Sequence, residues 1–385
     1  MNAFDRYDNG EISLALRQLR EQSGDPAARA LVDLTENRPA DVLQTAVESN
    51  DARYWELRSI AAWRTGDVAE LRRAVRRASQ LAETSDTADV DDLAALLAVA
   101  ESAKSAKMRR AEAKAPLASA FDPSLSHVVV EIEINGETAR MIVDTGAEMS
   151  LLDQGFADRI GVRFPSRSTL SAGTNTGHVD MSVGMVNHMA FLGIEWSDVP
   201  ALVVGLSHLR DEFGVDGVLG VQDVLSGFVL SIDYPQGRIE RHAETNLDGW
   251  PIYFTQGRAL ISAEGRMEGG PTGLFRIDTG GARSVLTKQY LSCSVTQGAT
   301  WNVSEEQSDV RKVVTEQIRR RRHVARLTFL PAGLAGAVSL HDVPVDTTAT
   351  DELIAYAGKL GADAFKGRVL ELDYPSCRLR LAPLD

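Results

Sequence analysis

A chain that repeats one passage at long range has few folds open to it, and this chain does so. Met141-Ile142-Val143-Asp144-Thr145-Gly146-Ala147-Glu148-Met149-Ser150-Leu151-Leu152 is answered by Phe275-Arg276-Ile277-Asp278-Thr279-Gly280-Gly281-Ala282-Arg283-Ser284-Val285-Leu286, with Asp-Thr-Gly and the following Ser at matching places. Farther on, Ser197-Asp198-Val199-Pro200 is echoed by His341-Asp342-Val343-Pro344, and Val229-Leu230-Ser231-Ile232-Asp233-Tyr234-Pro235 by Val369-Leu370-Glu371-Leu372-Asp373-Tyr374-Pro375. The period is too long for a solenoid, in which units of 20–50 residues stack, so it marks a duplicated domain. Each copy runs from an apolar strand into a tight turn and back into an apolar run, an all-β pattern.

One Asp-Thr-Gly after a strand reads as an ordinary turn, Asp bonding to nearby backbone and Gly taking positive φ. Two in parallel frames make a carboxylate pair the stronger reading. From about Ser124 onward the chain resembles the aspartic peptidases, and Asp-Thr-Gly-Ala in the first copy is nearer the retroviral-type (retropepsin-like) branch than pepsin. The resemblance implies a two-lobed fold with pseudo-twofold symmetry and a catalytic dyad of Asp144 and Asp278. Like charges in contact cannot both ionise cheaply, so the two share one proton and titrate as a unit, and neither is assigned as acid or base. Gly146 and Gly280 permit the turns that bring the loops together. Thr145 and Thr279 are expected to bond across the lobes beneath the dyad, and Ser150 and Ser284 to support the loops from behind. An apolar-apolar-Gly element should brace each loop. Val218-Leu219-Gly220 fits, whereas Lys359-Leu360-Gly361 fits in part. A catalytically idle pseudopeptidase that keeps the fold as an interaction scaffold is the rival reading; such proteins commonly lose one Asp, and both stand here.

The family places a mobile flap after the first catalytic loop, where Ser171-Ala172-Gly173-Thr174-Asn175-Thr176-Gly177-His178 has the composition of a hairpin tip. Gly173, Thr174, Asn175 and Gly177 are therefore candidate substrate-closing residues, beside the plainer reading of a surface hairpin. Ala147 and Gly281 follow the triplets where pepsin has a hydroxyl residue. Without that donor to the charged carboxylate, the working pH should lie above pepsin's, in mildly acidic to near-neutral solution.

Before residue 115, Ala, Leu, Arg and Glu dominate and apolar residues recur at helical spacing, as in Leu14, Leu16, Leu19 and Leu71, Val75, Ala78, Leu81. Gly10 and Gly66 follow similar helix ends, an arrangement that resembles tetratricopeptide hairpins but fits a plain bundle equally. The pattern predicts a last helix over Asp91 to Ala113 with a basic end containing Lys107, Arg109 and Arg110. The expected domains are 1–115 (helical), 124–243 (first lobe) and 250–385 (second lobe). Asn135-Gly136 between His127–Ile134 and Glu137–Val143 predicts a type I′ hairpin that delivers Asp144. Glu305 to Arg326 reads as a charged, helical insertion with a basic run at Arg319–Arg322.

With 385 residues and a net charge of -13, the composition is that of a globular chain and argues against general nucleic-acid binding. The expected partners are a protein or peptide substrate, with the helical part serving substrate or protein-partner binding or autoinhibition, and no dimer needed for catalysis. No metal motif occurs among the seven His and two Cys, so no metal and no cofactor is expected. Cys293 and Cys377 leave a single bridge open. No apolar run is long enough to span a bilayer and no signal peptide is visible, which makes cytoplasmic the default, with a leader missing from the record left open.

Overall fold

Glycine and capping residues divide the N-terminal part into short helices before any tertiary contact is considered. The computed structural model describes residues 1–45, 48–82, 109–112, 118–164, 169–174, 177–242, 247–255, 260–267, 270–290, 304–305, 321–329, 337–346 and 354–382. Its first 82 residues form α1 (Ala3–Asp8), α2 (Ile12–Glu21), α3 (Pro26–Thr35), α4 (Pro39–Gln44), α5 (Ala52–Thr65) and α6 (Val68–Ala82). Asn2 and Asp5 form a reciprocal capping box on α1. Asp25 caps α3, whose first residue is Pro26. Gly10 and Gly66 turn α1 into α2 and α5 into α6 with φ of 76° and 71°. The C-terminal carbonyls of α4 would be orphans, but the buried Arg58 guanidinium donates to Val42, Leu43 and Thr45 carbonyls and pairs with Glu70 on α6. Leu16 and Leu19 are buried as the periodicity predicts, while Leu14 points outward.

Residues 91–108 of the expected last helix lie outside the described residues, and its end is not helical. Arg109–Glu112 is a strand, paired antiparallel with Ile194–Val204 from Arg109↔Ser197 to Glu112↔Ile194. A four-residue segment has little helical stability of its own, and an open sheet edge supplies its hydrogen bonds instead. The expected helical insertion also needs correction at Arg321–Phe329, which is a strand; residues 306–320 lie outside the described ones.

The two copies of the repeat build matching sheets. In the first, Glu137–Val143 pairs parallel with Gly217–Leu219, and Leu151–Asp153 runs parallel to Ile194–Val204. In the second, Thr272–Ile277 pairs parallel with Gly358–Leu360, and Val285–Thr287 runs parallel to Ala337–Asp346. The hairpin at Asn135-Gly136 forms with φ of 50° and 85°, as a type I′ turn requires. A six-stranded sheet lies beneath both copies. At its centre Val229–Asp233 and Val369–Asp373, the repeated strands, pair antiparallel from Val229↔Asp373 to Asp233↔Val369. That pairing places a pseudo-twofold axis between them. The fold is a helical N-terminal part followed by a two-lobed β structure.

The helices share a core with both lobes. Met149 and Val183 of the first copy, and Tyr253, Leu274, Ile354 and Tyr356 of the second, pack in the same apolar cluster as Tyr7, Leu31 and Trp55. Polar contacts fix the register: Ser13 N donates to Glu264 at 2.9 Å, Ala355 N to the Asp8 carbonyl at 2.8 Å, and Asn37 Nδ2 to the Tyr374 carbonyl at 2.9 Å. Arg64 is half-buried between them, donating to the Leu34 carbonyl at 3.1 Å, with its guanidinium 4.8 Å from the Phe254 ring centre. Burial brings its pKa down to about 10, against the pull of Glu148 in the loop after Asp144. Among the described residues no helix is long and apolar enough to cross a membrane.

Candidate active site

Each apolar strand of the repeat ends by handing an aspartate to a loop held by the neighbouring parallel strand. Asp144 N donates to the Leu219 carbonyl at 3.0 Å, and Asp278 N to the Leu360 carbonyl at 2.9 Å. Val221 N donates to the Ala147 carbonyl at 2.9 Å, and Ala362 N to the Gly281 carbonyl at 2.7 Å. Ser150 Oγ accepts from Gly220 N at 3.1 Å, and Ser284 Oγ from Gly361 N at 3.0 Å while donating to Asp363 at 2.7 Å. A Cβ on Gly220 or Gly361 would lie 2.3 or 2.4 Å from the backbone of Met149 or Arg283, so glycine is required by proximity at both. The partial match at Lys359-Leu360-Gly361 therefore leaves the brace whole, because the brace is made by backbone.

Between the lobes the threonines exchange four bonds. Thr145 Oγ1 accepts from Thr279 N at 3.0 Å and donates to the Ile277 carbonyl at 2.7 Å. Thr279 Oγ1 accepts from Thr145 N at 3.1 Å and donates to the Val143 carbonyl at 2.7 Å. Both threonines are fully buried, where a backbone group without a partner is costly.

Above this network the Asp144 and Asp278 side chains meet and hydrogen-bond to each other. Each lies against the other loop's glycine: a Cβ on Gly146 would fall 2.5 Å from Asp278 Cγ, and one on Gly280 2.1 Å from Asp144 Cγ. Neither glycine has positive φ. The reason for glycine is thus the close approach of the opposite carboxyl, which any side chain would prevent, rather than a left-handed turn. Asp144 Oδ1 accepts from Gly146 N at 2.7 Å, and Asp278 Oδ1 from Gly281 N at 2.8 Å.

The pair is electrically unequal. Burial and then the charge of Asp278 push Asp144 up to about 8. Burial acts on Asp278 as well, but Lys359, by charge and hydrogen bond, together with Arg276, outweighs it and holds that carboxyl below the usual range. Lys359 Nζ lies 2.8 Å from Asp278 Oδ2. The ring of His127 packs against Phe213, and burial lowers its pKa despite the attraction of Asp278.

Of the flap candidates, Gly173, Thr174 and Gly177 lie at the end of a hairpin, with Gly173↔His178 and Thr174↔Gly177 paired; Asn175 lies outside the described residues. Lys359 and Asp363 are the site residues that motif reading misses. Lys359 stands out only when the two copies are aligned, where it answers Val218. Among the described residues no cluster of His, Cys, Asp and Glu could hold a metal. Cys377 is a free thiol, its pKa pushed up to about 12 by burial, and Cys293 lies outside the described residues.

No curated protein sequence matches the chain. Residues 130–222, from the hairpin that delivers Asp144 to the turn after its brace, match the family model described as aspartyl protease. That segment, set in a two-lobed β structure with an aspartate from each copy at its centre, is similar to the retropepsin-like aspartyl proteases.

Proposed function

We propose that the protein is an aspartic endopeptidase that activates water between Asp144 and Asp278. The observation that carries this reading is the meeting of two aspartates from duplicated strands, hydrogen-bonded to each other and seated on each other's glycine. One carboxylate takes a proton from water as its oxygen bonds to the peptide carbonyl carbon, and the other carboxyl gives its proton to the carbonyl oxygen. In the tetrahedral species that forms, the first carboxyl passes its proton to the amide nitrogen. The C–N bond breaks as the second recovers a proton from a hydroxyl of that species, which restores the pair. Thr145, Thr279, Ser150 and Ser284 hold the loops still, and burial keeps the shared proton in place up to near-neutral pH.

The substrate is a protein segment in extended form, its backbone met by the hairpin bearing Gly173, Thr174, Asn175 and Gly177. The working units are a helical domain within 1–115 and lobes at 124–243 and 250–385, the helical part serving substrate or partner binding. Arg72, Arg73, Arg76 and Arg77 border one shallow groove on α6, a surface suited to acidic segments. Incubation with casein across a pH series, with and without pepstatin and beside Asp144→Asn, tests the proposal. Cleavage that pepstatin and the substitution both abolish is expected; cleavage by Asp144→Asn equal to the native chain's refutes it.

One observation favours a second reading, a catalytically idle scaffold: an amine is paired with a member of the dyad. No cleavage at any pH by a folded protein would support it.

A further inference from the structure

The two copies of the repeat share the backbone brace behind each loop and differ beside the carboxyls, where Asp144 accepts from Gly146 N, two residues on, and Asp278 from Gly281 N, three residues on. In the first copy Val218 and Ala147 fill the space next to the catalytic loop, packed with Val129, Ile142 and Val215. In the second the corresponding residues are Lys359 and Gly281. A Cβ on Gly281 would lie 3.2 Å from Lys359 Nζ and 3.5 Å from Asp278 Cγ. Glycine thus leaves open the passage along which the amine reaches its carboxylate, 2.8 Å away, with the lysine side chain 23 % exposed. The paired strand sets the direction, since Lys359 lies opposite Arg276 and Leu360 opposite Ile277.

We propose that Lys359 is a positioning residue that makes the two carboxyls unequal, holding Asp278 as the ionised member that takes the proton of water and leaving Asp144 as the member that carries the shared proton. The proposal rests on the peptidase reading above and assigns the roles within it. An ammonium in contact with one carboxylate favours its charged form, by 1–3 pKa units in typical cases. The ionised Asp278 in turn opposes ionisation of Asp144. The reaction needs the pair with a single proton, and Lys359 widens on the acid side the range in which that state prevails. Asp278 remains able to accept: Oδ1 takes Gly281 N, Oδ2 takes Lys359 and one lone pair takes the proton shared with Asp144, which leaves one of the carboxylate's four for water. The other groups whose charge reaches the pair are Arg276 and His127 on the Asp278 side and the buried Tyr234 and Tyr374 hydroxyls below, the first toward Asp278 and the second toward Asp144. Lys359 forms an ion pair with the dyad through Asp278.

The test compares the full chain with Lys359→Met, which keeps the length of the side chain, and Lys359→Arg, which keeps its charge. For each, a pH-rate profile on a casein-derived peptide is recorded, together with the titration of the carboxyl carbons of 13C-labelled aspartate followed by NMR. The expected result is that the acid limb of Lys359→Met rises by at least about one unit. At about pH 4.5 it should then fall about two- to threefold below its own maximum while the native chain and Lys359→Arg stay near theirs. The lower of the two coupled carboxyl steps should move with it. A folded Lys359→Met whose acid limb and lower step both coincide with the native ones overturns the proposal. If no variant cleaves peptide, the peptidase reading fails, while the NMR titration still decides what Lys359 does to Asp278.

Discussion

Replacing Thr279 by Val removes one oxygen and retains the branched shape of the side chain, so its cost is that of the bonds. Thr145 N and the Val143 carbonyl lose their partners in a place with no access to water. Leaving a buried backbone group unsatisfied costs about 1–3 kcal/mol, so the two together cost about 2–6 kcal/mol, a large part of the 5–15 kcal/mol that stabilises an ordinary domain. Thr145→Val orphans Thr279 N and the Ile277 carbonyl by the same geometry and should cost the same to within about 1 kcal/mol. The four bonds are disjoint, yet the costs should not add. Once one pair is lost the lobes can part and admit water to the other, so the double variant should cost at least about 1 kcal/mol less than the sum. Urea unfolding followed by circular dichroism gives the three energies, and peptide cleavage gives the rates. A displacement of the carboxyls by about 1 Å is enough to lower the rate about a hundredfold. Single variants within about 0.5 kcal/mol of the native chain, or strictly additive costs, would refute the claim that these hydroxyls clamp the lobes.

Two further outcomes follow from the described contacts. The folded-state pKa of Asp144, about 8, lies above its ordinary 3.8, so the folded chain keeps a proton that the unfolded chain has released. The stability this carboxyl allows is complete below that ordinary value and falls as pH rises toward about 8, by at most about 1.4 kcal/mol per unit. Asp144→Asn removes this dependence and should gain stability over the native chain steadily from about pH 5 to 8, read by thermal unfolding; a difference that stays flat or shrinks with pH contradicts the assignment. A chain begun near Pro116 lacks strand Arg109–Glu112 and the helices that cover Met149, Val183, Leu274 and Tyr356. It should bind an apolar dye and lose activity on every substrate, whereas a monomeric, folded and more active product would show that the helices shield the cleft.

The paired Asp-Thr-Gly loops, the duplicated end strands, the type I′ turn at Asn135-Gly136 and the helical turns at Gly10 and Gly66 were legible because each is a local demand on the backbone. What escaped depends on distant neighbours. Arg109–Glu112 carries no strand-forming residue, and its conformation is decided by the free edge of Ile194–Val204. Met149 and Leu274 are apolar, but nothing local to them tells that the helices supply part of the core in which they pack. The reason for glycine at 146 and 280 lies in the other copy, across the cleft. Lys359 was visible as an irregularity, but its destination was not, because the opening it uses is made by Gly281.

The antiparallel pairing of Val229–Asp233 with Val369–Asp373 joins the two copies of the repeat within a single polypeptide. A protease assembled from two identical subunits must carry every substitution on both sides of its axis. A lysine that reached one carboxylate there would reach the other too, and the pair would lose the single proton it works with. Covalent fusion of the halves removes that constraint: Val218 and Lys359 occupy equivalent strands and are free to differ. The same freedom extends to Ala147 and Gly281, so one half can specialise in holding a proton and the other in accepting one.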